Sequence, residues 1–97
     1  MLPIVLLGHI CTGHDNFPPR PNIAASPNFL VKGRGVHRQG DAWGVHCRTV
    51  LPFDCHMSTM GSCGSLFLAN GKPIARIGEP VNCGSFTAQG EGSVVTG

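Results

Sequence analysis

Short apolar stretches alternate along this chain with glycine, proline and other turn-forming residues, and no long segment is helix-forming. Residues 1–7 (MLPIVLL) are rich in Val, Ile and Leu and predict a strand. Three prolines between residues 18 and 21 exclude regular structure in the next segment. The later apolar stretches are brief and predict short strands, so the pattern indicates an all-β fold.

Two β-hairpins are predicted in the middle of the chain. In the first, residues 28–32 form one strand, KGRG is the turn and residues 36–39 form the returning strand. In the second, residues 66–69 and 74–77 are the strands and NGKP is the turn. The Asn-Gly pair in that turn is a strong hairpin signal, because both residues tolerate the positive φ angles of a tight turn.

The two hairpins are copies of one repeat, offset by 38 residues. The identical pairs are Phe29/Phe67, Leu30/Leu68, Gly33/Gly71, Arg38/Arg76 and Gly40/Gly78. The similar pairs are Arg34/Lys72, Val36/Ile74 and Asp41/Glu79. A third, truncated copy is predicted at residues 92–95 (GSVV). Repeats this small must share a core, and an approximate threefold arrangement around an axis is an economical way to do so.

Length and composition predict one domain, residues 1–97, with a thin core. Only 12% of the residues are charged, against about 25% in an ordinary soluble domain, so much of the surface is expected to be hidden in an assembly. The net charge is only +2 and the basic residues are scattered, which argues against nucleic-acid binding. No Lys or Arg precedes the apolar residues 1–7 and Pro3 interrupts them, so we expect no secretory signal peptide.

Five cysteines and five histidines in so short a chain have three possible explanations. Cys47 and Cys55 could form a disulfide, although the odd number of cysteines leaves one thiol over and no signal peptide indicates an oxidising compartment. The second explanation is ordinary packing, in which cysteines act as small apolar residues. Cys11, Cys63 and His37 are expected to belong to this class, with His37 on a strand.

Zinc is the third explanation, because Zn²⁺ binds a tetrahedron of His nitrogens and Cys thiolates at about 2.0–2.3 Å. The candidate ligands lie in clusters beside the repeats: His9, Cys11 and His14; His46 and Cys47; Cys55 and His56; and Cys83. In a threefold arrangement these junctions would converge at one end of the axis. One metal could then join distant parts of the chain.

The segment NGKPIARIGEPVNCG resembles a PAAR-repeat protein, a family named after a Pro-Ala-Ala-Arg motif. Residues 73–76 (PIAR) correspond to the motif, and residues 35–38 (GVHR) correspond to a degenerate first copy. The opening GHICTGHDNFPPRP is similar to the start of short PAAR proteins without extra domains. The resemblance covers essentially the whole chain, with His37 in place of the motif's alanine and Glu79 in place of the usual Asp as departures.

The resemblance implies a small pseudo-threefold cone of short β-hairpins, with a zinc ion near its apex held by three histidines and one cysteine. Its base would cap the C-terminal β-helix of a trimeric spike protein, one copy per trimer, in a phage tail or a type VI secretion system. The tip would contact the target membrane transiently and aid puncture of the envelope. It would therefore lie at a virion tail or baseplate tip, or at the tip of a secretion spike delivered outside the producing cell. A phage tail is favoured, because no toxin domain is fused and the opening resembles phage-type members.

Carried over residue by residue, the resemblance implies four ligands. Cys83 matches the family's cysteine after the second motif, and His46 lies in the corresponding stretch after the first motif. His14 and His56 open the segments that lead into the first and second strand pairs. The expected set is therefore His14, His46, His56 and Cys83, with zinc or, under some conditions, iron. The close rivals are His9, Cys11, Cys47 and Cys55.

Two other functions are weighed against this one. An enzyme could use Cys83 or Cys55 as a nucleophile with His56 as a base, but no third orienting group is visible. Four protein ligands would also leave the metal no open position, so catalysis is not expected. A zinc- or disulfide-stapled adaptor unrelated to a spike would share the staple, but not the threefold repeat.

Overall fold

The computed structural model describes all 97 residues, and its regular structure is entirely β. The strands are β1 Leu2–Ile4, β2 Leu30–Val31, β3 Arg34–Gly35, β4 Ala42–Cys47, β5 Cys55–Thr59, β6 Leu68–Ala69, β7 Lys72–Pro73 and β8 Glu91–Thr96. They form four antiparallel pairs: β2–β3, β4–β5, β6–β7 and β1–β8. The predicted all-β class is confirmed, and no helix of the structure could span a membrane.

Both predicted hairpins are present, but their strands are shorter than predicted. Each turn has two residues, Lys32-Gly33 between β2 and β3 and Asn70-Gly71 between β6 and β7, and all four have φ between 52° and 79°. Two consecutive residues with positive φ are the geometry of a type I′ turn. The predicted returning strands, residues 36–39 and 74–77, leave their own hairpins after one residue. The amides of Val36 and Ile74 still donate within the hairpin, to Phe29 and Phe67, whereas the amides of residues 37, 39, 75 and 77 donate to other repeats.

The third repeat is completed by the two ends of the chain. β8 pairs with β1, with Leu2 opposite Thr96 and Pro3 opposite Val95. Residues 3–8 (PIVLLG) consequently occupy the place that residues 73–78 (PIARIG) occupy in the second repeat. The prediction that residues 1–7 are a strand was incomplete, since this segment is the missing half of the truncated third copy.

A ring of three backbone hydrogen bonds marks the axis around which the repeats are arranged. The N–H of Val5 donates to the carbonyl of Ala75, that of Ala75 to His37, and that of His37 to Val5, each at 2.9 Å. These three residues are equivalent positions of the three repeats and are completely buried. The ring confirms the predicted pseudo-threefold arrangement, and it places His37 on the axis rather than on an ordinary strand.

Two apolar layers pack on opposite sides of this ring, because successive side chains of an extended segment point to opposite faces. The base layer consists of Ile4, Leu6, Val36, Ala69 and Ile74. The upper layer consists of Val5, Cys11, Trp43, Met60, Ala75 and Val81. The three hairpins that contain the turns or chain ends surround the base layer, whereas Cys83 packs against the upper layer. The molecule measures 40 × 24 × 21 Å, so it is elongated.

Candidate metal centre

The four side chains implied as ligands meet beyond the upper layer. One ligand atom from each of His14, His46, His56 and Cys83 lies within 4.8 Å of the other three. His46 is buried and the other three are half-buried. They come from three separate stretches of the chain, so the cluster exists only because the fold brings those stretches together.

A two-residue turn positions His14. The backbone groups of His14 and Phe17 exchange hydrogen bonds of 3.0 and 2.6 Å. Asp15 and Asn16, at φ 44° and 68°, form the turn between them. Asp and Asn tolerate this left-handed backbone better than most residues. The turn directs both the His14 ring and the Phe17 ring towards the cluster, where their centroids lie 5.0 Å apart.

The β4–β5 hairpin supplies two histidines side by side. His46 and His56 are directly opposite each other in the ladder, and so are Cys47 and Cys55 one residue further on. Because alternate residues of a strand face opposite ways, the histidines lie on one face and the cysteines on the other. Cys47 and Cys55 form a disulfide on that outer face, which cross-links the two strands that carry the histidines.

Cys83 lies beside a buried cation. Its Sγ is 3.2 Å from the Ser85 hydroxyl and 3.6 Å from a terminal nitrogen of Arg20, whose side chain is only 4% exposed. Burial alone would raise the pKa of the Cys83 thiol, but the hydrogen bonds with Ser85 and Arg20 outweigh it and lower that pKa. The surroundings therefore favour the thiolate, which is the form that binds metals.

The ring nitrogens that face the cluster centre are free to act as ligands. His46 Nδ1 lies 2.8 Å from the carbonyl oxygen of Pro18, so Nδ1 carries the proton and Nε2 keeps its lone pair. Burial is the main factor that lowers the pKa values of His46 and His56 below the ordinary 6.5, and nearby positive groups lower them further. These shifts favour the neutral ring, which is the form that binds a metal ion.

The contacts among these nitrogens fit a cation better than hydrogen bonds. His56 Nε2 lies 3.0 Å from His14 Nε2 and 2.6 Å from His46 Nε2. A neutral ring nitrogen holds either one proton or one lone pair, so three converging nitrogens cannot all be well paired with one another. A metal ion at the centre would accept a lone pair from each of them and from the Cys83 thiolate. The donor set of three imidazoles and one thiolate suits zinc.

Phe17 and Arg20 belong to this site and were not identified from the sequence. Phe17 is buried and its ring contacts all three histidine rings, at centroid distances of 5.0 Å to His14 and His46 and 4.1 Å to His56. The only signal for either residue was its place in the proline-rich FPPRP stretch beside His14. That stretch excluded regular structure without revealing what its side chains contact.

The structure does not bring the four rival residues into the cluster. His9 Nδ1 accepts a hydrogen bond of 3.0 Å from the amide of Leu6. Cys11 is completely buried, 3.0 Å from Arg20. Cys47 and Cys55 are joined to each other, so the disulfide left open by the sequence is present and neither sulfur is a free thiolate.

A comparison with protein families supports the same interpretation. The PAAR motif family matches residues 8–88 of the chain. A search of curated proteins gave no match. The matched region contains two of the three repeats, all four clustered side chains, and Phe17 and Arg20. The chain therefore belongs to the PAAR-motif family of spike-tip proteins.

Proposed function

We propose that this protein is a structural tip that caps and sharpens the trimeric β-helical spike of a contractile injection machine and aids puncture of the target envelope. The observation that carries the proposal is a threefold body with a cluster of metal-binding side chains on one side of its axial ring and an open apolar surface on the other. The family match over residues 8–88 supports it independently. Its place would be the tip of a phage tail or baseplate, or of a type VI secretion spike.

The metal we propose is zinc, bound by His14, His46, His56 and Cys83. All four positions of a tetrahedral ion would be filled by protein, so the ion would stabilise structure rather than perform catalysis. Structural zinc contributes on the order of 10 kcal/mol to folding in small domains, which matches the entire stability of many of them. It would fix three stretches of chain where the molecule has little apolar core.

Elemental analysis of the purified chain tests the metal. We expect one zinc ion per chain in the wild type, and loss of the zinc with a large fall in melting temperature in Cys83→Ser and His56→Ala. Cys63→Ser is the matched control, because Cys63 is a half-buried free thiol outside the cluster. A metal-free wild type that is fully folded and as stable as a zinc-loaded sample would refute the assignment.

The base is suited to a threefold partner. Phe29, Phe67 and Val94 occupy equivalent positions of the three repeats and line an apolar cavity of about 240 Å³. Phe67 is 60% exposed, and Leu66 next to it in the chain is 88% exposed. Contiguous exposed apolar surface of this kind marks an interaction site. A pseudo-threefold monomer can place three similar edges on the three chains of a spike, and it would cover the unpaired strand ends there.

Mixing the protein with a trimeric β-helical spike fragment tests the partner. Native mass spectrometry should show one copy per trimer, and Phe67→Asp should abolish the complex while leaving zinc content unchanged. Three copies per trimer, or no binding at all, would exclude capping. The alternative, a stapled adaptor unrelated to spikes, would retain the zinc and fail to bind the trimer.

A further inference from the structure

The hairpin that carries two of the histidines ends in an exposed apolar loop. Beyond the disulfide, residues 48–54 connect β4 to β5, and their central part, residues 50–53, reads Val-Leu-Pro-Phe. The side chains of Val50, Leu51 and Phe53 are 47%, 77% and 57% exposed. Apolar residues in consecutive positions at the end of a hairpin, uncovered by the rest of the chain, are not explained by core packing or by the metal centre.

This loop is held in one shape before it meets a partner. The disulfide between Cys47 and Cys55 closes its base, and the amide of Arg48 donates to the carbonyl of Asp54 at 2.8 Å. The amide of Thr49 donates to the carbonyl of Asn16 at 3.1 Å, and the Arg48 guanidinium stacks on Phe17 at 4.9 Å. The loop would therefore lose little conformational freedom on binding.

The polar groups of the loop are partly matched within it, and the amides of Val50 and Leu51 make no backbone hydrogen bond. The amide of Phe53 donates to the carbonyl of Val50 at 2.9 Å, and Pro52 has no N–H. The two charged residues, Arg48 and Asp54, lie at the base with Nε and Oδ1 3.0 Å apart, so they neutralise each other and flank an uncharged tip. An apolar turn with no net charge and only two free backbone amides can enter the interfacial region of a lipid bilayer, where water can still bond to those amides.

We propose that residues 50–53 form a lipid-inserting loop, so that the protein docks on a membrane by itself, without any force from a machine. The surface lies at the end of a hairpin and consists of three side chains, which together expose on the order of 500 Å² at most. A stable protein interface needs roughly 1,200 Å² or more and a matching concave surface. A fluid lipid layer needs neither, and it takes up Val, Leu and Phe favourably. The proposal is independent of spike docking, which uses the opposite side of the axial ring.

The test is flotation of the zinc-loaded full chain with phosphatidylcholine vesicles, which carry no net charge. We expect the wild type to float with the vesicles at low and high salt. The double variant Leu51→Ser/Phe53→Ser should bind about tenfold more weakly or worse, since it exchanges apolar contacts for hydroxyl groups at the interface. The control is Leu66→Ser, which changes a more exposed leucine on the base and should float like the wild type.

A second measurement locates the inserted residue. Phe53→Trp adds an exposed indole to the completely buried Trp43, so only the new fluorophore can respond to lipid. Its emission should shift to the blue when vesicles are added. Three results would each overturn the proposal. The wild-type protein could stay in the aqueous fraction, its binding could need anionic lipid and disappear in high salt, or Leu66→Ser could bind vesicles as weakly as the loop variant. A dimer that forms through the loop in place of vesicle binding would overturn it as well. None of these outcomes affects the mass-spectrometry test, which counts the copies of this protein that bind one spike trimer through the base.

Discussion

At the scale of single residues, buried polar side chains replace much of the apolar core that a chain this small cannot supply. Arg20 is buried without a carboxylate partner. Its Nε donates to the carbonyl of Gly44 at 2.7 Å, one terminal nitrogen lies 3.0 Å from the Cys11 sulfur and another lies 3.6 Å from the Cys83 sulfur. A buried cation is costly unless it is fully hydrogen-bonded, so Arg20 ties three stretches of chain together under the metal centre.

We therefore predict that Arg20→Met weakens zinc binding by roughly 10- to 100-fold, which is the usual effect of removing a hydrogen-bond partner of a metal ligand. Arg20→Lys should fall between Met and wild type, because it keeps the charge but cannot reach three partners at once. Competition with a chromophoric chelator measures the affinity. Lys72→Met, on the surface, serves as the control. Equal affinities for Arg20→Met and wild type would contradict this role.

His37 makes a different contribution, which depends on pH. It lies on the axis where the other repeats have Val5 and Ala75, and its Nδ1 is 2.7 Å from the carbonyl oxygen of Ala24. Its Nε2 is buried without a partner. Burial lowers the pKa of His37 below the ordinary 6.5. At a pH near or below 6.5, the unfolded chain therefore protonates His37 more readily than the folded chain does. The free energy of unfolding consequently falls as the pH is lowered through this range.

The variant His37→Val, which copies Val5 of the third repeat, removes this proton linkage. We predict that its unfolding free energy decreases less between pH 7.5 and pH 5.5 than that of the wild type. A residual decrease will remain, because the pKa values of His9, His46 and His56 are lowered as well, chiefly by burial. Urea unfolding of zinc-loaded samples at the two pH values measures the difference. An unchanged pH dependence in the variant would show that His37 does not carry it.

At the scale of elements, the turns could be predicted from the sequence and the strand lengths could not. The Asn-Gly and Lys-Gly turns follow from local backbone preference, and both hairpins form around them. Residues 36–39 and 74–77 have the composition of returning strands, but the amides of residues 37, 39, 75 and 77 donate to other repeats. The hydrophobic period and the β-propensity of a segment predict that it is extended. Which strand it pairs with depends on the whole threefold arrangement.

The same distinction applies to the metal centre. The resemblance alone predicts the four clustered side chains, because the spacing of the residues leaves His9, Cys11, Cys47 and Cys55 as alternatives. Phe17, Arg20 and the Cys47–Cys55 disulfide act through contacts between distant parts of the chain. No local pattern encodes such contacts, so they became visible only in the structure.

The first hairpin offers a direct test of its turn. Lys32 has φ 52°, where the second repeat has Asn70 at φ 55°. Asn tolerates this conformation better than Lys, so Lys32→Asn should stabilise the protein by about 0.5–1 kcal/mol relative to Lys32→Ala. Lys32→Ala is the matched control, because both variants lose the exposed contact with Glu91. Chemical unfolding gives the two values, and equal stabilities would exclude a turn effect.

At the scale of the whole molecule, the repeat order is circularly permuted: the third hairpin combines the last strand with the first. Leu2 is opposite Thr96 as Lys72 is opposite Ala69, so Gly97 and Met1 occupy the two turn positions of the third repeat. Equivalent glycines after the axial residues, Gly8, Gly40 and Gly78, have φ of 87°, 85° and 83°. The three repeats therefore share the same backbone conformation at this glycine despite their different sequences.

This equivalence predicts that the chain can be reconnected. The permutant joins Gly97 directly to residue 1, which is changed from Met to Gly, and is opened between Asn70 and Gly71. It should fold with one zinc ion per chain. Its melting temperature should lie within a few degrees of the wild type, because one two-residue turn is exchanged for another. Circular dichroism and metal analysis provide the readout. An unfolded permutant would mean that the third repeat is not equivalent to the other two.

The axial ring has a further consequence during synthesis. Its three members are joined only when residue 75 meets residues 5 and 37, and β1 has no partner strand until β8 has been made. The axial ring can therefore close only after residue 75 has been synthesised, and the third repeat can form only after β8 has been synthesised. Folding is expected to be late, slow and all-or-none, and until then the apolar opening of the chain is a natural substrate for chaperones.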